Sequence, residues 1–253
     1  MLRVESLSKS FGPVTAIGDI TAEFPEGKFT CIVGPSGCGK TTLLKCLAGL
    51  LTPSGGQVLL DNEKVVKPPR KMALVFQDYS RSLFPWMTVR DNVAFPLRGR
   101  KSMHDAAKSQ TVEKALRSVG LADAMDRYPW QLSGGMQQRT SIARAIAYQP
   151  QILLMDEPFA SVDAQTRADL EDLMLAIKRD YGMTIVFVTH DIDESVYLGD
   201  RIVVLGSSPT TVKEVLEVGL SESRDQVSTK AHPEFLRLRG HVFNEIMHRT
   251  PTA

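Results

Sequence analysis

Apolar and polar residues alternate through Leu2-Arg3-Val4-Glu5-Ser6-Leu7 and again over residues 14–24, and the chain then turns almost wholly apolar over Phe29-Thr30-Cys31-Ile32-Val33. A period of two predicts strands covered on one face, whereas a short unbroken run predicts a strand buried on both. Gly12-Pro13 and Glu26-Gly27 mark the turns between them. After Gly34 the period changes: Leu43, Leu44, Leu47, Leu50 and Leu51 fall at helical spacing, which predicts a helix that Pro53 and Gly55-Gly56 end. Residues 57–61 and 71–76 read as strands, and 111–119 and 134–148 as helices. Beyond them the apolar strands 152–156, 184–189 and 201–205 are separated by a helix carrying Leu170, Leu173, Met174 and Ile177 and by a shorter one. Residues 212–218 alternate and 232–247 read as a helix. Short buried strands alternating with helices predict an α/β fold with a mainly parallel sheet covered on both faces, preceded by antiparallel β structure.

At 253 residues the chain is long enough for one to two domains. Its composition, 43% hydrophobic and 23% charged, excludes wholesale disorder. Thirty basic residues balance 29 acidic ones, so no global field draws the molecule to nucleic acid or a membrane surface. No apolar run approaches the ~18 residues of a spanning helix, and the charged N-terminus lacks a signal-peptide pattern, so a cytoplasmic location is expected. Cys31, Cys38 and Cys46 are odd in number and have no metal-ligand spacing, and are expected to be reduced packing residues.

The first chemical signal is Gly34-Pro35-Ser36-Gly37-Cys38-Gly39-Lys40-Thr41, a G-x-x-x-x-G-K-[ST] loop between a buried strand and an amphipathic helix. Glycines there let backbone N–H groups converge on phosphate oxygens at the helix N-terminus. Lys40 is expected to reach the β- and γ-phosphates and the Thr41 hydroxyl to ligate Mg²⁺, with Thr42 in the same first turn. Asp156 and Glu157 follow the apolar run 152–155. Alone they read as a solvated strand end; beside a phosphate loop they read as a Mg²⁺ ligand and a general base for the attacking water. His190, after the apolar run 184–188, suits γ-phosphate contact from the same sheet edge.

The segment Leu132-Ser133-Gly134-Gly135-Met136-Gln137, by itself a plausible helix cap, completes an ordered set with the glycine loop, Gln77, residues 152–157, Ser161-Val162-Asp163 and His190. In that order the motifs resemble ATP-binding cassette (ABC) transporter ATPases over about residues 1–215. The resemblance implies a P-loop NTPase core, an N-terminal antiparallel β subdomain, a helical subdomain at about 90–150 and a C-terminal extension at 216–253. It implies that Phe11 stacks on adenine, although a lone Phe between strands is otherwise more often core, and that Gln77 senses Mg²⁺ and the attacking water. Ser133, Gly134 and Gly135 would contact the γ-phosphate of ATP held by a second copy, and Asp163 would link the two sites. The family commonly has Ser-Ala-Leu-Asp where this chain has Ser161-Val162-Asp163; alignment from Pro158 keeps Asp163 in place.

Residues 78–97 and 190–205 look most like importer ATPases for nitrate, sulfonate, taurine and related solutes. The resemblance then implies a homodimer at the cytoplasmic face of the inner membrane, bound to membrane-spanning permease subunits and served indirectly by an extracytoplasmic solute-binding protein, with no nucleic-acid partner. Leu83-Phe84-Pro85-Trp86 reads either as an apolar plug on the helical insert or as a docking surface for the permease. A soluble ABC-type ATPase acting on nucleic acid or ribosomes is the rival reading; it calls for a coiled-coil insertion or a tandem cassette, which this sequence does not contain.

Overall fold

The computed structural model describes residues 1–100 and 103–247, with backbone alone for residues 79 and 80. Two antiparallel strands, β1 (Leu2–Phe11) and β2 (Val14–Phe24), open the chain, and β3 (Phe29–Val33) leads through the glycine loop into α1 (Lys40–Leu47). α1 is shorter than the leucine spacing predicts. Gly49 takes a left-handed conformation at φ 67°, so close to the Lys67 carbonyl that a Cβ would come within 2.7 Å of its oxygen. The helix therefore stops at Leu47, leaving Leu50 outside it and exposed, and Gly55-Gly56 instead begin β4 (Gly55–Leu60). Asp61 and Asn62, both at positive φ, turn the chain onto β5 (Glu63–Lys64), a hairpin strand the hydrophobic pattern does not announce.

After β6 (Met72–Val75) come the α-helices α2 (Tyr79–Ser82), α3 (Val89–Ala94), α4 (Asp105–Ser118) and α5 (Gly134–Ala147). α3 is too short to show a stripe. Its start is fixed by Thr88, whose hydroxyl accepts from the Asp91 amide at 3.1 Å. α4 begins well before Thr111, because the polar and small residues of its first turns add nothing to an apolar pattern.

The remainder alternates as expected: β7 (Ile152–Asp156), α6 (Ala164–Tyr181), β8 (Thr184–Val188), α7 (Ile192–Leu198), β9 (Arg201–Leu205), β10 (Thr210–Glu217) and α8 (Pro233–Met247). The strands form one ten-stranded sheet in the order β5-β4-β1-β2-β10-β9-β3-β8-β7-β6. From β9 to β6 neighbours are parallel, and β5-β4-β1-β2 is antiparallel. β10 joins the two regions, antiparallel to β9 and parallel to β2.

Every residue of β3, β7 and β8 is buried, since helices cover both faces. Alternation along β3 sends Phe29, Cys31 and Val33 into the core under α3–α8, and Ile32 into the one beneath α1 and the N-terminal strands. Residues 216–247 continue this core: α8 buries Phe235, Leu238 and Val242 in the cluster that holds Ile202 and Val204. Among the described residues no helix is long and apolar enough to cross a membrane. The parallel strands β3, β7 and β8 all end on one edge, and the loops leaving that edge carry the polar residues of interest.

Candidate functional site

The loop after β3 is shaped by glycines that no other residue replaces without strain. Gly37 and Gly39 have φ of 75° and 103°, and Gly39 is the N-cap of α1, without a side-chain cap and with no acid in the first turn. The first N–H groups of α1 thus meet the loop with the positive end of the helix dipole and no acidic residue of their own turn to neutralise it. Gly34 packs so tightly that a Cβ would lie 3.0 Å from both Cβ and the carbonyl oxygen of Leu205. Lys40, 5% exposed, donates to the carbonyls of Gly34 at 2.9 Å and Pro35 at 3.1 Å, which holds its ammonium over the cradle. Thr42 stands in the first turn beside Thr41, and Pro35 and Ser36 form the loop's outer rim. Cys38 is buried, its thiol pushed up chiefly by desolvation.

Across β8, at the end of β7, the buried Asp156 accepts the Thr41 hydroxyl at 3.0 Å. Desolvation raises this carboxyl above its usual range, with the charge of Glu157 adding to the rise and the Thr41 hydrogen bond opposing it. A hydroxyl and a buried carboxylate held together beside a phosphate cradle are two hard oxygen donors, and this pair fits Mg²⁺.

Glu157 adopts φ 42°, a left-handed backbone costly for a non-glycine residue, and is pinned by donating its N–H to the Val188 carbonyl at 2.9 Å. That turn aims its carboxylate at His190, with Oε2 3.0 Å from the imidazole Nδ1. Glu157 and His190 thus form a pair at the same sheet edge as Asp156. Gln77 leaves β6 at the same edge, since Val75 pairs with Met155. Phe11, at the β1–β2 turn, is half exposed rather than core, and the Lys9 ammonium lies 5.2 Å from its ring centroid. The Ala16 carbonyl of β2 approaches Gly39 closely, so this turn sits near the cradle.

Ser133, Gly134 and Gly135 lie elsewhere. Ser133 is the N-cap of α5, accepting from the Met136 amide at 3.3 Å, and it is exposed with Gly134. Gly135 packs against Thr166, whose side-chain methyl would stand 2.5 Å from an added Cβ. Thr166 is bound through both its amide and its hydroxyl to Asp163, the N-cap of α6. Among the described residues no hydrogen bond joins 133–135 to 34–42. Residues of the expected site therefore form two separate groups: the cradle with Asp156, Glu157 and His190, and the Ser133 group with Asp163.

Sequence reading missed the network behind His190. Thr189 donates its hydroxyl to Glu194 at 2.5 Å, and Arg167 on α6 lies 3.5 Å from Glu194 and 3.2 Å from Asp191. It ties the start of α6, which carries Asp163, to the loop that carries His190. Asp191 capping α7 with Glu194 three residues on is a visible helix-start signal; the burial of Glu194 is not visible.

Burial pushes the Glu194 carboxyl up from 4.5 to about 7. Between those values the folded chain holds more protons than the unfolded one, so this residue's contribution to stability falls as pH rises through the window and stays low above it. Glu194→Gln should remove that loss, so that relative to the native chain the variant gains up to roughly 3 kcal/mol between pH 4.5 and 8. Urea unfolding of both chains at pH 5 and pH 8 measures it; an equal difference at the two pH values rules this titration out.

A sheet edge that brings together a phosphate cradle, a hard-cation pair and a carboxylate–imidazole pair is that of a P-loop nucleotide hydrolase. The family model described as ABC transporter matches residues 17–160, and the chain belongs to that family. It is 45% identical over 96% of its length to an uncharacterized ABC transporter ATP-binding protein of Methanocaldococcus jannaschii, covering 90% of that relative. With the nitrate import ATP-binding protein NrtD of Synechococcus elongatus it shares 37% identity over 98% of this chain and 92% of that one. Among solved structures it is similar to a dimeric post-hydrolysis state of the ATP-binding cassette MJ0796 bound to ADP and Pi, with TM-score 0.75 and 31% identity over 87% of this chain and all of that one.

Proposed function

We propose that this chain is the ATP-hydrolysing subunit of an importer for a small solute of the nitrate, sulfonate or taurine kind, and that it works as a dimer. The observation that carries the dimer is the split of one chemistry over two exposed surfaces of the chain. One surface has the cradle and the Glu157 carboxylate and the other the exposed N-terminus of α5 at Ser133, and among the described residues no hydrogen bond joins the two. Two copies facing one another complete both.

In this reading the N–H groups of residues 34–42 and the Lys40 ammonium hold the triphosphate, and Phe11 stacks on the adenine. Thr41 and Asp156, with Gln77, would hold Mg²⁺, which when bound neutralises phosphate charge. Glu157 accepts a proton from the attacking water at its carboxylate, and His190 orients that carboxylate and meets the γ-phosphate. Ser133 and Gly135 reach the γ-phosphate in the other copy, and Asp163 lies between the sites. The likeness to a nitrate import protein supports a small solute. The permease chains, and an extracytoplasmic solute-binding protein acting through them, place the subunit at the cytoplasmic face of the membrane.

The docking surface of this proposal is the turn after α2. Leu83 is buried, so the apolar run divides: Leu83 anchors it, while Trp86, 70% exposed, and Phe95 face outward around Phe84. Buried Asn92 fastens the turn, accepting from the Phe84 amide and donating to the carbonyls of Phe84, Met87 and Thr88. Arg144 of α5 donates to the Ser82 carbonyl at 2.6 Å, so the helix that begins at Ser133 also grips this turn. A cysteine at Trp86 should crosslink to the permease in the assembled transporter; crosslinks confined to its own chain would refute the docking assignment.

A further inference from the structure

Away from the sheet edge just described, three ligand-bearing side chains converge where the C-terminal helix crosses β10. His241 and Glu245 lie one turn apart on the same face of α8, and Glu214 projects from β10. One ligand atom from each lies within 4.8 Å of the others, and all three residues are half-buried. The imidazole is already oriented, its Nε2 2.7 Å from Glu214 Oε2.

We propose that Glu214, His241 and Glu245 bind a divalent cation of the Zn²⁺ class that fastens α8 to β10. One imidazole nitrogen and two carboxylates are the mixed N/O donor set such an ion takes, at about 2.0–2.2 Å, with water in a fourth position; Mg²⁺ prefers oxygen alone in an octahedron. Metal at the centre requires the three atoms to stand about 3.4 Å apart, so the 2.7 Å contact between His241 and Glu214 opens as the ion enters and the longer separations close, which side-chain torsions of the two glutamates supply. The backbone under the ligands is fixed. α8 buries Phe235, Leu238 and Val242 on its inner face, and β10 is paired at Glu214 with Val204 of β9, so the donors stand on packed elements. Lys213 donates to the Glu245 carbonyl at 2.8 Å, tightening the same crossing.

The same helix lines a groove beside the loop of His190 through Leu236, Arg239 and Phe243, and Arg239 pairs with Asp193 at 2.6 Å. Ion binding therefore anchors a helix that touches the catalytic edge without using any of its residues.

The test is Zn²⁺ titration of the chelator-stripped full chain, without nucleotide, against a chromophoric chelator, with the visible spectrum of Co²⁺ as the second readout. One ion per chain should bind, raising the melting temperature by a few degrees at ~100-fold excess over Kd. His241→Ala should weaken binding at least tenfold and abolish the Co²⁺ band. Glu245→Gln leaves the His241–Glu214 pair intact, so it keeps the fold and should weaken binding as well. Absence of binding at 100 µM Zn²⁺, or equal binding by the native chain and both variants, overturns the site.

Discussion

Glu157→Gln should bind ATP as the native chain does and hydrolyse it about 10²- to 10⁴-fold more slowly, the range general-base removal commonly costs. The substitution keeps the size and planarity of the side chain, so the left-handed turn held by the Val188 carbonyl survives. A neutral amide can still meet His190 but cannot take the water's proton. The phosphate cradle is untouched, because among the described residues Lys40 is held by the carbonyls of Gly34 and Pro35 and Thr41 by Asp156, and neither hydrogen-bonds to Glu157. ATP affinity by nucleotide titration and turnover by phosphate release separate the two effects. Unchanged turnover would remove Glu157 from the chemistry; lost binding would mean that the side chain serves the cradle.

Much of this edge was legible in the sequence, for reasons that differ from residue to residue. The glycine loop reads directly because positive φ at Gly37 and Gly39 admits essentially one residue type and leaves that trace. Asp156 and Glu157 read because a buried strand announces where its end must be. Ser133 reads as a helix start and is the N-cap of α5; that Asp163 caps α6 was not read from the sequence.

What stayed hidden depends on contacts between distant segments. The early end of α1 is set by Lys67 pressing on Gly49, and the second half of the leucine stripe gives no warning of it. Glu194, Arg167 and Thr189 are ordinary polar residues until α6 and α7 close over them. Asn92 looks like one more polar position on a short helix, yet its amide holds the whole turn around Phe84. The joining of the two sheet regions by β10 was also out of reach, since alternation over 212–218 says nothing about which strands lie on either side.

The separation of Ser133 from the glycine loop gives the second large expected effect. If Ser133 completes the γ-phosphate site of the other copy, a mixture of Lys40→Ala chains with Ser133→Arg chains should regain hydrolysis that neither has alone. In the mixed dimer one site carries both lesions, and the other combines an intact Lys40 with an intact Ser133. Each homodimer has two damaged sites. The physical ground is that two helix N-termini, of α1 and α5, present positive dipole ends that one chain holds on separate surfaces, so only two facing chains bring them to one phosphate. Both lesions act locally: among the described residues Lys40 hydrogen-bonds to its own loop, and Ser133 is exposed, so Arg there costs the cap on the Met136 amide and obstructs a facing partner without disturbing the core. Recovery should approach the one good site expected in each mixed dimer, about half of native turnover per dimer if the sites act independently, against homodimers lowered by the ~10²-fold or more that losing a γ-phosphate donor typically costs. Differently tagged chains purified through both tags supply the mixed dimer, and trapping of ATP alongside turnover detects one competent site even where strict cooperativity stops the cycle. Mixed dimers that neither trap nor hydrolyse ATP would show that the site closes within a single chain.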